Sequence, residues 1–129
     1  MNQTLYTSEI LNCQYDTETG IFYKYYSGNV EFDDIVYSWN EIIENGLIPQ
    51  KTRKFLLDYS KANYVSGPET ARKIAQFYKQ NKRIFSGTKI ALIMQRPNQV
   101  IFPILVDAEC SFMSVKPFYT LNGARDWLS

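Results

Sequence analysis

The chain has 129 residues, 45% of them hydrophobic, with two cysteines, no histidine and a formal net charge of +1. That length suits one domain around a single core, and no apolar run approaches the roughly 20 residues that span a bilayer. The missing histidine excludes Ser-His and Cys-His nucleophiles and His-ligated zinc, which leaves carboxylate, lysine or tyrosine chemistry.

The chain opens on Met1-Asn2-Gln3-Thr4, without the basic and apolar stretches of a secretory signal, so a cytoplasmic protein is expected. Residues 10–15 and 21–26 are rich in β-formers, and Asp16-Thr17-Glu18-Thr19-Gly20 lies between them. This predicts a β-hairpin with a five-residue connection, its second strand ending at Ser27-Gly28-Asn29. A first helix follows over residues 31–45 with Gly46 as its stop. Phe32, Ile35, Val36, Trp39, Ile42 and Ile43 share one face of it, and Asp33, Asp34, Glu41 and Glu44 the other.

Phe55-Leu56-Leu57-Asp58-Tyr59 reads as a buried central strand, and Ser66-Gly67-Pro68 leads into a second helix over residues 69–85. Ala71, Ile74, Tyr78 and Phe85 form its inward stripe, with Arg72, Lys79 and Arg83 opposite. Residues 88–94 are apolar enough for a parallel strand covered on both faces. Residues 98–112 fit a helix entered or bent near Pro103, or a strand over residues 99–102. Residues 114–119 form a short strand that Pro117 assigns to a sheet edge. Thr120 caps a last helix that packs Ala124, Trp127 and Leu128 inward.

The expected fold is therefore one α/β domain over residues 1–129, in the order ββαβαβαβα. It has a mixed, mostly parallel sheet, an N-terminal β-hairpin and about four helices. This order resembles the STAS domain of bacterial anti-sigma-factor antagonists, in particular its SpoIIAA-like relatives with a connection to lipid-transfer proteins. Two stretches carry the resemblance. Phe55 to Ser60, running on to Ser66-Gly67, is similar to the family's central strand, trailing aspartate and Ser-Gly loop at a helix start. Residues 118–128 are similar to its closing strand and helix, with the Ala124-x-x-Trp127-Leu128 ending.

The resemblance implies a non-catalytic bacterial regulator with a protein partner and a switch loop built on Asp58, Ser66 and Gly67. It equally implies an alternative, a carrier or sensor of a small lipid or other apolar or anionic ligand, with Val100, Phe102 and Leu105 lining the pocket. The family's loop is Asp-Ser-Ser/Thr-Gly with a phosphorylated serine or threonine, whereas Tyr64-Val65-Ser66-Gly67-Pro68 lacks the aspartate. Ser66 thus stands as a phospho-acceptor or as an ordinary helix cap.

The remaining chemistry is sparse. Residues 1–50 carry one lysine and eight acids, and residues 51–96 carry eleven bases and two acids. That layout fits either an anionic partner or acidic and basic elements packed side by side. The line Arg72, Lys79, Arg83 is a candidate interaction surface or a solvated helix face. Asp33, Asp34, Glu41 and Glu44 sit where a helix is ordinarily charged, so no metal site is expected from them. Asp58, near the carboxyl end of a core strand, suits ligand binding or loop ordering. An enzyme using Asp58 with a tyrosine or lysine is the third reading; no catalytic motif supports it. No cofactor is implied, since neither GxGxxG nor GxxxxGK[ST] occurs. A pI near 7.7 gives no expectation of nucleic acid. Cys13 and Cys110, far apart and without CxxC spacing, read as buried thiols. The oligomeric state stays open, a dimer included.

Overall fold

The computed structural model describes residues 2–64, 67–96 and 99–129. Its elements are β1 (Asn2–Thr7), β2 (Leu11–Asp16), β3 (Ile21–Asn29), α1 (Phe32–Glu44), β4 (Lys54–Asn63) and α2 (Pro68–Gln80). They continue as α3 (Lys82–Phe85), β5 (Lys89–Ile93), α4 (Ile101–Glu109), β6 (Ser114–Phe118) and α5 (Leu121–Leu128). The six strands form one sheet in sequence order. β1, β2 and β3 pair antiparallel, and β3 to β6 pair parallel. A mixed α/β sheet led by a hairpin is thus what the pattern of the sequence specified.

Alternation along the strands sorts side chains onto two faces. On the front face, Phe22, Tyr26, Phe55, Leu57, Tyr59, Ile90 and Leu92 meet α1, α2, α3 and α4 in the larger core. Trp39 of α1 is its centre, fully buried, with edge contacts to Phe55 at 5.7 Å and Phe85 at 5.2 Å. On the back face, Ile21, Tyr23, Leu56, Ala91 and Ile93 pack against Ala124 and Leu128 of α5 alone. A single short helix cannot cover the sheet. Over β1 and β2 the back carries side-chain amides: Asn2 donates to Gln14 at 3.1 Å and Gln14 donates to Asn12 at 3.0 Å.

Several elements match their sequence signals closely. α1 buries Ile35, Trp39 and Ile42, and Asp34 accepts from the Glu31 N–H at 2.9 Å, which fixes its first turn. Thr120 caps α5 through the Gly123 N–H at 3.0 Å. β6 with Pro117 is an edge strand. Residues 101–109 are helical, and the alternative of a strand over residues 99–102 is set aside. Pro103 lies in the first turn of α4, where an N–H has no intrahelical partner to lose.

Three features differ from expectation. β1 is an additional strand; its residues are mostly exposed and its register shifts between Thr4 and Tyr6, so it carries no clean alternation. The long second helix is two helices, α2 and α3, broken at Asn81. There the Asn81 side chain donates to the Phe77 carbonyl at 2.8 Å, a local bond that competes with the helical ladder. β3 and β4 also run further than predicted. Ser27, Gly28 and Asn29 pair with Lys61, Ala62 and Asn63 after a register shift, so the parallel pair extends beyond Tyr26 and Tyr59.

Candidate functional site

Asp58 sits within β4 rather than trailing it, because the strand continues to Asn63. The β3–β4 register shift inserts an extra residue into β4 after Asp58. This frees the Ser60 N–H from the ladder, and Asp58 Oδ1 accepts it at 2.8 Å. The carboxylate orders the bulge. It also floors a groove of about 520 Å³ bordered by Asn12, Gln14, Tyr25, Ser60 and Lys61. Tyr25 stacks on Tyr23 at 5.5 Å, and Arg125 Nε donates to the Tyr23 hydroxyl at 3.0 Å. Burial, then the neighbouring Tyr23, raises the Tyr25 pKa; Arg125 opposes this and Asp58 adds to it. Tyr25 is therefore a hydrogen-bonding group at neutral pH and not a base.

Ser66 lies outside the described residues. Gly67 is the extended N-cap of α2, with Pro68 in the first turn and Glu69 beside the positive end of the helix dipole. α2 packs on the front face and Asp58 lies on the back, so the two ends of the expected switch loop are on opposite sides of the sheet.

The expected basic line is divided. Arg72 is exposed on α2, whereas Arg83 belongs to α3 beyond the Asn81 break. Lys79 pairs with Glu109 of α4 at 3.3 Å. α2 and α4 run side by side, joined also by the Cys110 thiol donating to the Ala75 carbonyl at 3.6 Å. Of the expected apolar lining, Phe102 is core, edge-on to Tyr64 at 5.7 Å and to Tyr59 at 6.4 Å. Val100 and Leu105 are half-buried. Their neighbours Ile101 and Ile104 are each 53% exposed, which places apolar surface on α4.

Lys24 is the residue that sequence reasoning passed over. It is fully buried in β3 among aromatic rings. Its Nζ donates to Ser38 Oγ at 3.1 Å and lies 3.7 Å from the centre of the Trp39 ring and 5.1 Å from that of Tyr26. Ser38 Oγ in turn donates to the Ile35 carbonyl at 2.8 Å. Burial lowers the Lys24 pKa to about 7, with Cys13 partly opposing it; burial raises the thiol of Cys13, its cross-strand partner, to about 11. The available signal was a lone lysine inside Phe22-Tyr23-Lys24-Tyr25-Tyr26, a run buried on both faces. Lys51 and Arg53 were likewise counted only among the eleven bases of residues 51–96.

Among the described residues, no group of three or more Cys, Asp or Glu side chains is placed to hold a metal ion. No helix among them is long and apolar enough to cross a membrane. No protein-family model matches the chain, and no curated protein matches it in sequence. A solved structure does match: an uncharacterized protein of the DUF3478 family from Shewanella loihica PV-4, described as having a SpoIIAA-like fold. The two superpose with a TM-score of 0.59 at 17% identity, over 100% of this chain and 93% of the other. At that identity the likeness is one of fold. The chain has a SpoIIAA-like fold, in agreement with the resemblance carried by its central strand and closing helix.

Proposed function

We propose that this chain is a non-catalytic regulatory domain that acts by binding another protein, in the manner of anti-sigma-factor antagonists. The observation that carries the reading is the surface around α4 and the start of α2. Ile101 and Ile104 stand out of an otherwise packed helix, and exposed Arg72 lies on the adjoining α2. Exposed isoleucines with an arginine on the adjoining helix have the composition of a protein interface. Gly67 begins α2 beside this surface, so a phosphate on Ser66 would add negative charge at a helix N-terminus and change what the surface attracts.

The test is a pair of variants in cells of the source organism. Ile101→Asp with Ile104→Asp is expected to abolish recovery of a specific partner while the thermal unfolding of the domain is unchanged. Tyr25→Ala on the back face is expected to retain the partner. Equal recovery by both variants would refute the interface.

The second reading, a carrier or sensor of a small lipid, has half-buried Val100 and Leu105 beside exposed Ile101 and Ile104 in its favour. Mass spectrometry of an organic extract of the purified domain tests it, and an extract without lipid removes it.

A further inference from the structure

The loop between α1 and β4 and the residues of α3 border an open cavity of about 290 Å³. Its polar lining comes from Gln50, Lys51, Thr52, Arg53, Arg83 and Ser86. Ile43, Ile48 and Ile84 form its apolar wall. No acidic residue lines it. Three cations thus border one small space, and among the described residues none of them is paired with a carboxylate. Like charges gathered without a counter-ion repel one another, and a bound anion reverses the sign of that interaction.

Two backbone features support a built site. Lys51 has φ of 64°, the one described non-glycine residue in the left-handed region, where a lysine is conformationally strained. Gly87, with φ of 75°, leaves the space that the Arg53 guanidinium uses: a Cβ at that position would stand 2.8 Å from Arg53 Nη1. Lys51, on its strained backbone, and Arg53, whose guanidinium lies beside Gly87, each bring a cation to the cavity.

We infer that this cavity binds the phosphate of a small phosphorylated compound between Lys51, Arg53 and Arg83, with Ser86 as a hydroxyl partner. Two arginines provide planar forks suited to phosphate oxygens, the lysine adds a point charge, and the isoleucine wall accepts an apolar part of the same molecule. The cavity is too small for a diacyl lipid, so only a headgroup would enter it, and a soluble phosphate monoester meets the same groups. The site is separate from the α4 surface proposed above and does not depend on it.

The test uses the intact, isotopically labelled domain, titrated with glycerol 3-phosphate and with glycerol at matched ionic strength. Saturable amide shifts at Thr52, Arg53 and Ser86 with the phosphate alone are expected. Arg53→Gln with Arg83→Gln should weaken binding by about tenfold or more. Lys51→Gly, which keeps the backbone conformation, should weaken it on its own, so the result does not rest on one variant that fails to fold. Co-sedimentation with phosphatidate-containing vesicles, lost in the same variants, would assign the phosphate to a lipid headgroup; shifts without sedimentation would assign it to a soluble compound. Absence of saturable shifts together with absence of sedimentation overturns the inference, as does binding that the arginine variants leave intact.

Discussion

Lys24 and the cluster Lys51, Arg53 and Arg83 are basic groups with no carboxylate partner among the described residues, and they have little else in common. Lys24 is enclosed by Ser38, Trp39 and Tyr26, with Cys13 opposite on β2 and Tyr59 and Tyr78 closing the aromatic layer behind. Lys51, Arg53 and Arg83 border an open cavity and are exposed. Burial removes hydration from the first, so its neutral form is favoured and the absent counter-ion is not missed. Solvent keeps the second group charged, so the absence of a counter-ion leaves a field that acts on whatever enters. The same residue type is a core component in one place and an attractor in the other.

The largest expected effect breaks the first region. Trp39→Ala removes the ring beneath Lys24 and the edge contacts to Phe55 and Phe85, and should lower stability by about 3–5 kcal/mol. Urea unfolding measures this directly. Retention of wild-type stability would mean that α1 is not docked as described. Arg53→Gln with Arg83→Gln, by contrast, should leave the folding free energy within about 0.5 kcal/mol of wild type.

The second effect separates the regions by pH. Lys24 titrates near 7 when folded and at 10.5 when unfolded. Between those values the unfolded chain holds a proton that the folded chain lacks, so stability rises with pH, by up to about 1.4 kcal/mol per unit. Cys13 acts in the opposite sense above its unfolded value of 9.0, because burial holds the folded thiol protonated up to about 11. Stability should therefore climb from about pH 7 to pH 9 and then level off. Lys24→Met keeps the apolar stem without the titrating amine. It should flatten that climb and raise stability most at and below pH 7, where the ammonium form is buried at a cost. A climb that persists in Lys24→Met would assign it to another group.

The sequence made some of this legible and concealed the rest for physical reasons. α1 was readable because six apolar residues keep helical spacing against four acids, and β6 because Pro117 cannot donate within a sheet. The split at Asn81 was not, since the apolar stripe through Tyr78 and Phe85 runs across it and only the Asn81 side chain marks the break. Asp58 was expected near a strand end, because the bulge that extends β4 leaves no compositional trace. Lys24 was not legible because a single lysine among aromatics gives no sign of which face the helices cover. The basic cavity was the least legible feature, since a loop and a distant helix supply its cations and no motif joins them.

The third effect is screening. The double arginine variant should gain a few tenths of a kcal/mol at low salt and lose that gain near molar salt, where the Debye length falls to about 3 Å. Lys24 is shielded from mobile ions, so the Lys24→Met difference should be the same at both salt concentrations. A salt-dependent Lys24→Met difference would place water, and hence ions, beside the buried amine.

The smallest effect is the most discriminating. Lys51 holds a left-handed backbone conformation at which an L-residue is disfavoured by about 1–2 kcal/mol, while glycine brings an unfolded-state entropy penalty of about 0.5–1 kcal/mol. Lys51→Gly should therefore leave the domain about 0.5 kcal/mol more stable, or unchanged, although it deletes one of the three cavity cations. If stability instead falls, the Lys51 side chain makes a stabilising contact and its strained backbone needs no ligand to explain it. If stability is kept while affinity for a phosphate monoester drops, the lysine occupies a position that suits binding and opposes folding. Residues retained against their own conformational preference have that signature at functional sites.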